Sequence, residues 1–134
     1  IKRYTSNFKE TNEFVSDEKC FDATMRELEI TGEAIKHLLA SDEMKHLTRS
    51  EWRIIVDFRN VITHEYFGID VDEVFKVVKE DINVLEKEVL ELIKNLKDKT
   101  KLYEALECAI DDLKKMHRKE GINYLIGISK KMSR

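Results

Sequence analysis

In the run Arg59-Asn60-Val61-Ile62-Thr63-His64-Glu65-Tyr66, side chains able to do polar chemistry stand among residues suited to packing. Histidine is the side chain whose unperturbed pKa lies nearest neutrality, so His64 could take or give a proton at pH 7. Arg59 offers a permanently charged fork matched to phosphate oxygens. A phosphodiester of RNA attacked by its own 2′-hydroxyl needs these two services, proton handling and stabilisation of the extra charge on the pentavalent phosphorus, and demands no metal. On an α-helix Arg59 and Tyr66 would lie within about 20° of one another, and Asn60 and His64 would form an i, i+4 pair. Arg59 to His64 would span about 140°, a gap that a long arginine can bridge. On spacing alone, ordinary helix packing is the simpler reading of the run.

Other chemistry finds less support. His64-Glu65 begins like a zinc-protease helix, but Gly68 stands where the second histidine would fall. His37, His46 and His117 read as isolated surface or helix-end residues, and no glycine-rich phosphate loop or nucleophilic serine motif occurs. No metal and no cofactor is therefore expected. Cys20 and Cys108 form no C-x-x-C pair and read as buried thiols. No apolar run reaches the roughly 18 residues that cross a bilayer, and the charged opening is not followed by an apolar signal core, so a cytoplasmic protein without membrane contact is expected.

The elements that would position Arg59 and His64 are helices. The chain has 134 residues, no proline and four glycines, with 38% charged and 42% hydrophobic residues, a profile of long amphipathic helices. Phe21, Met25, Leu28, Ile35, Leu38 and Leu39 mark one face of a helix from about Asp17 to Ala40. After a linker near Ser41 to Leu47, Thr48 and Glu51 form a capping box that starts the next helix. Trp52, Ile55, Val56, Ile62 and Tyr66 fall near one side of it, and Gly68 could give a left-handed stop. Asp70 caps a further helix whose apolar threes and fours run from Val71 to Leu96. Thr100 could cap another, carrying Leu102, Leu106, Ile110 and Leu113 and ending near Gly121. Residues Ile122 to Ile128 could be a strand, a last helical turn or a docked segment.

These elements predict an all-α fold, an antiparallel up-and-down bundle of four to five helices in one domain. Residues 1–97 would form the helical domain, its first helix clipped at Ile1, and 98–134 a C-terminal helix and basic tail packed on it. From Leu113 to Arg134 seven Lys or Arg face one Glu, a local charge of +6 that leaves −9 for the rest of a chain whose net charge is −3. Such a tail could hold a polyanion, though charge runs are more often merely solvated.

The segment from Trp52 to Asp70 resembles the signature of HepT-like proteins of the HEPN superfamily, with the R-x-x-x-x-H-x-Y core complete in Arg59, His64 and Tyr66. Upstream, Leu28-Glu29-Ile30-Thr31-Gly32-Glu33-Ala34 resembles the family's Gly-Glu-Ala helix, and together the resemblance covers about residues 1–97. It implies a homodimer acting as a metal-independent ribonuclease toxin on RNA, neutralised by a minimal nucleotidyltransferase antitoxin that attaches AMP to the motif tyrosine. Arg59 and His64 would then be catalytic, Asn60 their polar support, Tyr66 the modified residue, and Glu33 a lining residue of the same cleft. The alternative is a catalytically silent helical module that docks a nucleotidyltransferase or a nucleotide through the same helix.

Overall fold

The computed structural model describes residues 1–42, 49, 52–64 and 66–132, with only the backbone of Tyr66. The described residues are all-α and contain no strand. The expected Thr48–Glu51 capping box lies outside them, as does His46. No helix is long and apolar enough to cross a membrane. The chain divides into two compact units, Ile1–Lys87 and Glu88–Arg134.

The first unit opens with two short helices, α1 (Lys2–Thr5) and α2 (Thr11–Ser16). Next comes α3 (Glu18–Ala40), where Asp17 caps as its side chain accepts from Cys20 N at 3.0 Å. It buries Thr24, Met25, Leu28, Gly32 and Ile35, the face that the spacing marks, while Thr24 Oγ1 satisfies itself on Cys20 O at 2.6 Å. Helix α4 (Arg53–His64) buries Ile55, Phe58 and Ile62, and the preceding Trp52 is buried with them. α3 and α4 pack against each other.

After α4 the chain tightens into a 3₁₀ turn, Tyr66–Gly68. Gly68 does not adopt a positive φ, so the expected left-handed stop is replaced by this tighter winding. Asp70 then caps as predicted, its Oδ1 accepting from Asp72 N at 2.9 Å and Glu73 N at 3.4 Å. The single helix expected from Val71 to Leu96 is α5 (Val71–Lys76) and α6 (Ile82–Asn95) joined by a π turn, Val77–Asp81. Asn83 Nδ2 donates to Lys79 O at 2.6 Å there, occupying a carbonyl in the widened turn. Apolar periodicity continues through the π turn, which is why it left no mark in the sequence pattern.

An aromatic cluster ties the opening helices to α3 and α5. Phe14 is fully buried, with ring centroids of Phe8, Phe21 and Phe75 at 5.7, 5.3 and 5.7 Å in tilted arrangements. Lys79 Nζ lies 5.3 Å from the centroid of Phe75 and donates to Thr5 O at 2.6 Å, so its charge is covered by a ring and a carbonyl.

In the second unit, α7 (Thr100–Lys115) and α8 (Lys119–Met132) pack on each other. Thr100 is the first residue of α7 rather than its cap. Asp98 Oδ1 accepts from Thr100 N at 2.9 Å, and the backbone and hydroxyl of Thr100 hold that carboxyl below the usual carboxylate range. α7 stops well before Gly121, at a corner where His117 takes φ 56°. Arg118 N donates to Leu113 O at 2.9 Å and His117 N to Lys114 O at 3.0 Å, the paired bonds of a Schellman stop with histidine in place of glycine. The ambiguous segment 122–128 is helical, inside α8.

Both cysteines are free. Neither is a fully buried thiol, contrary to expectation: Cys108 is exposed on α7, which buries no residue, and Cys20 is half-buried. Partial burial, aided by the Asp17 carboxylate, raises the Cys20 thiol above its ordinary pKa and disfavours the thiolate.

Candidate active site

Arg59 is placed by the way α4 meets α3. A Cβ built on Gly32 would fall 2.3 Å from Arg59 Cβ, 2.9 Å from Arg59 Cγ and 3.0 Å from Ile55 O. Only a residue without a side chain lets the two helices come this close, and the stem of Arg59 lies in the space so opened. The arginine side chain is 23% exposed, and its Nη2 lies 2.8 Å from Glu33 Oε2. Its Nη1 donates to Asn60 Oδ1 at 3.0 Å. One end of the fork is therefore turned to a carboxylate on α3 and the other to a neighbour on α4.

Glu33 is the hub of this cluster. Its Oε1 faces His37 Nε2 at 3.3 Å, and Lys36 Nζ is 4.0 Å from Oε2. Oε2 is itself buried and, despite the short distance to Arg59, receives no aligned hydrogen bond. The guanidinium therefore meets this oxygen off the N–H direction, and their attraction is Coulombic. With the Glu33 side chain 38% exposed, solvent screens the pair and its worth to stability is about 0–1 kcal/mol. That is too little for the pair to be a main support of the fold.

His64 closes α4 and is exposed. Among the described residues no hydrogen bond joins it to Arg59 or to Asn60, whose carbonyl is turned to Arg59 instead. Thr63, between them in sequence, donates its Oγ1 to Arg59 O at 2.9 Å. Tyr66 belongs to the 3₁₀ turn Tyr66–Gly68, whose tighter winding does not follow the α-helical angle assumed from Arg59. Thus Arg59, Asn60 and Glu33 are brought together, while His64 stands at the end of the same helix with an open imidazole. Among the described residues no cluster of His, Cys, Asp and Glu could hold a metal ion.

Two members of the cluster receive no site role from the sequence, although Gly32 stands in the Gly-Glu-Ala block. Gly32 sits in mid-helix, where glycine costs roughly 1 kcal/mol relative to alanine, and that penalty is the signal of a close approach. His37 is a surface residue in the last turn of α3, as expected, but it is not isolated; its i, i+4 spacing from Glu33 was the available clue.

This geometry sits within a recognisable class. Residues 1–92 match the family described as ribonuclease HepT-like, and the chain belongs to that family. It is 38% identical over 78 residues to "Putative RNase MJ1380" of Methanocaldococcus jannaschii, covering 58% of this chain and 71% of that protein. It is 40% identical over 70 residues to "Probable ribonuclease HepT" of Thermococcus cleftensis, covering 52% and 63%. With "Gamma-glutamylcyclotransferase and putative RNase MJ0434" of M. jannaschii it shares 35% identity over 101 residues, which is 75% of this chain but only 44% of that longer protein. No solved structure matches.

Proposed function

We propose that this chain is an endoribonuclease that cleaves RNA by attack of a 2′-hydroxyl on the adjacent phosphodiester, without a metal. The observation that carries the reading is Arg59, held at the α3–α4 crossing by Glu33 and Asn60, with the open imidazole of His64 at the end of the same helix in a chain of the ribonuclease HepT-like family. Arg59 would receive the phosphate and stabilise the charge that grows on its oxygens, and His64 would move the proton. Asn60 orients the fork of Arg59.

One chain supplies one His64, whereas transphosphorylation asks for a base and an acid. A symmetric homodimer supplies both. Ile54 and Val61, seven residues apart on α4, are exposed at 51% and 38%, and His64 follows three residues later, so an apolar strip with the imidazole beside it supports pairing of α4 with its copy. The catalytic part of the chain is read as residues 1–97, an antiparallel bundle, with 98–134 as an addition. The regulatory half of the proposal is a toxin neutralised when a minimal nucleotidyltransferase attaches AMP to Tyr66, whose added phosphate and bulk would compete with RNA for the site. The intact mass of the chain co-expressed with such a transferase checks this: an adenylate on Tyr66 is expected, and an unmodified tyrosine with full neutralisation would leave binding alone as the antidote.

The enzymatic reading is tested by incubating purified chain with RNA in excess chelator. Cleavage should persist and leave 2′,3′-cyclic phosphate ends. A silent protein that still captures a nucleotidyltransferase or nucleotide would establish the binding module instead.

A further inference from the structure

The guanidinium of Arg59 is fixed from three sides. Its stem lies against Gly32, its Nη2 is 2.8 Å from Glu33 Oε2, and its Nη1 donates to Asn60 Oδ1 at 3.0 Å. Two of these three constraints come from adjacent residues of α3, a helix other than the one that carries the arginine. Glu33 is constrained in turn, since its other oxygen faces His37 at 3.3 Å and the oxygen toward Arg59 is buried. A buried carboxylate oxygen with no aligned hydrogen bond is tolerated here because a permanent positive charge stands beside it.

We infer that Glu33 is a positioning residue for Arg59, its carboxylate and the Gly32 contact together fixing the direction in which the arginine fork meets the phosphate. The inference rests on the ribonuclease reading only for what Arg59 does once it is positioned. A fork already oriented need not be ordered as charge develops on phosphorus, so removing Glu33 should be felt in kcat. It should not weaken binding, because the carboxylate opposes the charge that attracts RNA; KM stays level or falls. Glutamine in its place keeps an acceptor of the same reach without the charge and should recover part of the loss.

The test uses the full chain in two measurements. The first is the side-chain Nε–H resonance of Arg59 by NMR, assigned by its disappearance in Arg59→Lys. In wild type it should be resolved, and in Glu33→Ala it should collapse toward the position of solvated arginines, with the backbone spectrum of α3 and α4 otherwise retained. The second is the cleavage of a single-stranded RNA oligonucleotide, where kcat should fall about 10–100-fold in Glu33→Ala and less in Glu33→Gln, with KM unchanged or lower. An Arg59 resonance that stays at its wild-type position in folded Glu33→Ala overturns the inference, as does a kcat within twofold of wild type. If the resonance moves but wild type cleaves no RNA, the ribonuclease reading fails while the hold of Glu33 on Arg59 stands.

Discussion

The two units of the chain carry the same kind of sequence pattern and come to different ends. In Ile1–Lys87 each of α3, α4 and α5 buries part of its apolar face, and Phe14, Leu28, Val74 and Val78 have 1% or less of their surface exposed. In Glu88–Arg134 the stripe on α7 is as regular, yet that helix buries none of its residues, and Met116 is 59% exposed. Period alone states which face of a helix is apolar; it does not state that anything covers it. The candidate site lies where covering elements are present, and a guanidinium can be held to a fraction of an ångström only on helices whose own positions are fixed by packing.

The largest expected effect sharpens this contrast. Phe14→Ala removes a ring enclosed by Phe8, Phe21 and Phe75 and should cost about 3–5 kcal/mol, whereas Leu106→Ala on α7 should cost about 1 kcal/mol or less. Urea unfolding of both variants measures the difference, and equal costs would mean that α7 is as well covered as the first unit.

A smaller effect should follow from Gly32→Ala, where two terms oppose each other. Alanine gains roughly 1 kcal/mol of helix propensity, but its methyl would stand 2.3 Å from Arg59 Cβ, and overpacking of that kind costs about 1–3 kcal/mol. The clash should win. The variant should melt lower than wild type and lose RNA cleavage out of proportion to its loss of stability, since α4 must shift at the position that carries Arg59. Unchanged melting and cleavage would show that the helices part there without consequence.

The smallest effect belongs to the corner between α7 and α8. His117 holds φ 56°, which costs an L-residue roughly 1–2 kcal/mol, part of which glycine would return in chain entropy. His117→Gly should therefore stabilise the α7–α8 pair by about 1 kcal/mol or less, read as slower amide exchange across both helices. Faster exchange would assign the imidazole a stabilising contact of its own.

Much of the helical frame was legible because its signals are local. Asp70 does its capping with its own side chain, and the buried face of α3 is the one its threes and fours mark. Arg59 and His64 of the candidate site draw notice as a charged fork and a neutral-range imidazole on a helix built to pack, but it is the resemblance of the surrounding segment, not their spacing, that singles them out. What escaped is tertiary. The approach of Gly32 to Arg59 joins residues 27 apart, and no period reports it. The sequence places the end of α7 near Gly121, but the helix stops earlier with His117 in the left-handed conformation; Gly121 sits inside α8, where its missing side chain leaves room for Leu113 Cδ1, 3.1 Å from where a Cβ would be. Glycine was the right residue type for a stop and lies there to permit packing.

The most direct measurement is single-turnover cleavage of a defined single-stranded RNA, in chelator, by wild type beside Arg59→Ala and His64→Ala, with circular dichroism to verify that all three are folded. Wild type is expected to cleave and leave 2′,3′-cyclic phosphate ends, and each variant to fall at least about 100-fold. Undiminished cleavage by both variants, or cleavage by wild type that requires an added metal ion, would contradict the assignment of the chemistry to Arg59 and His64.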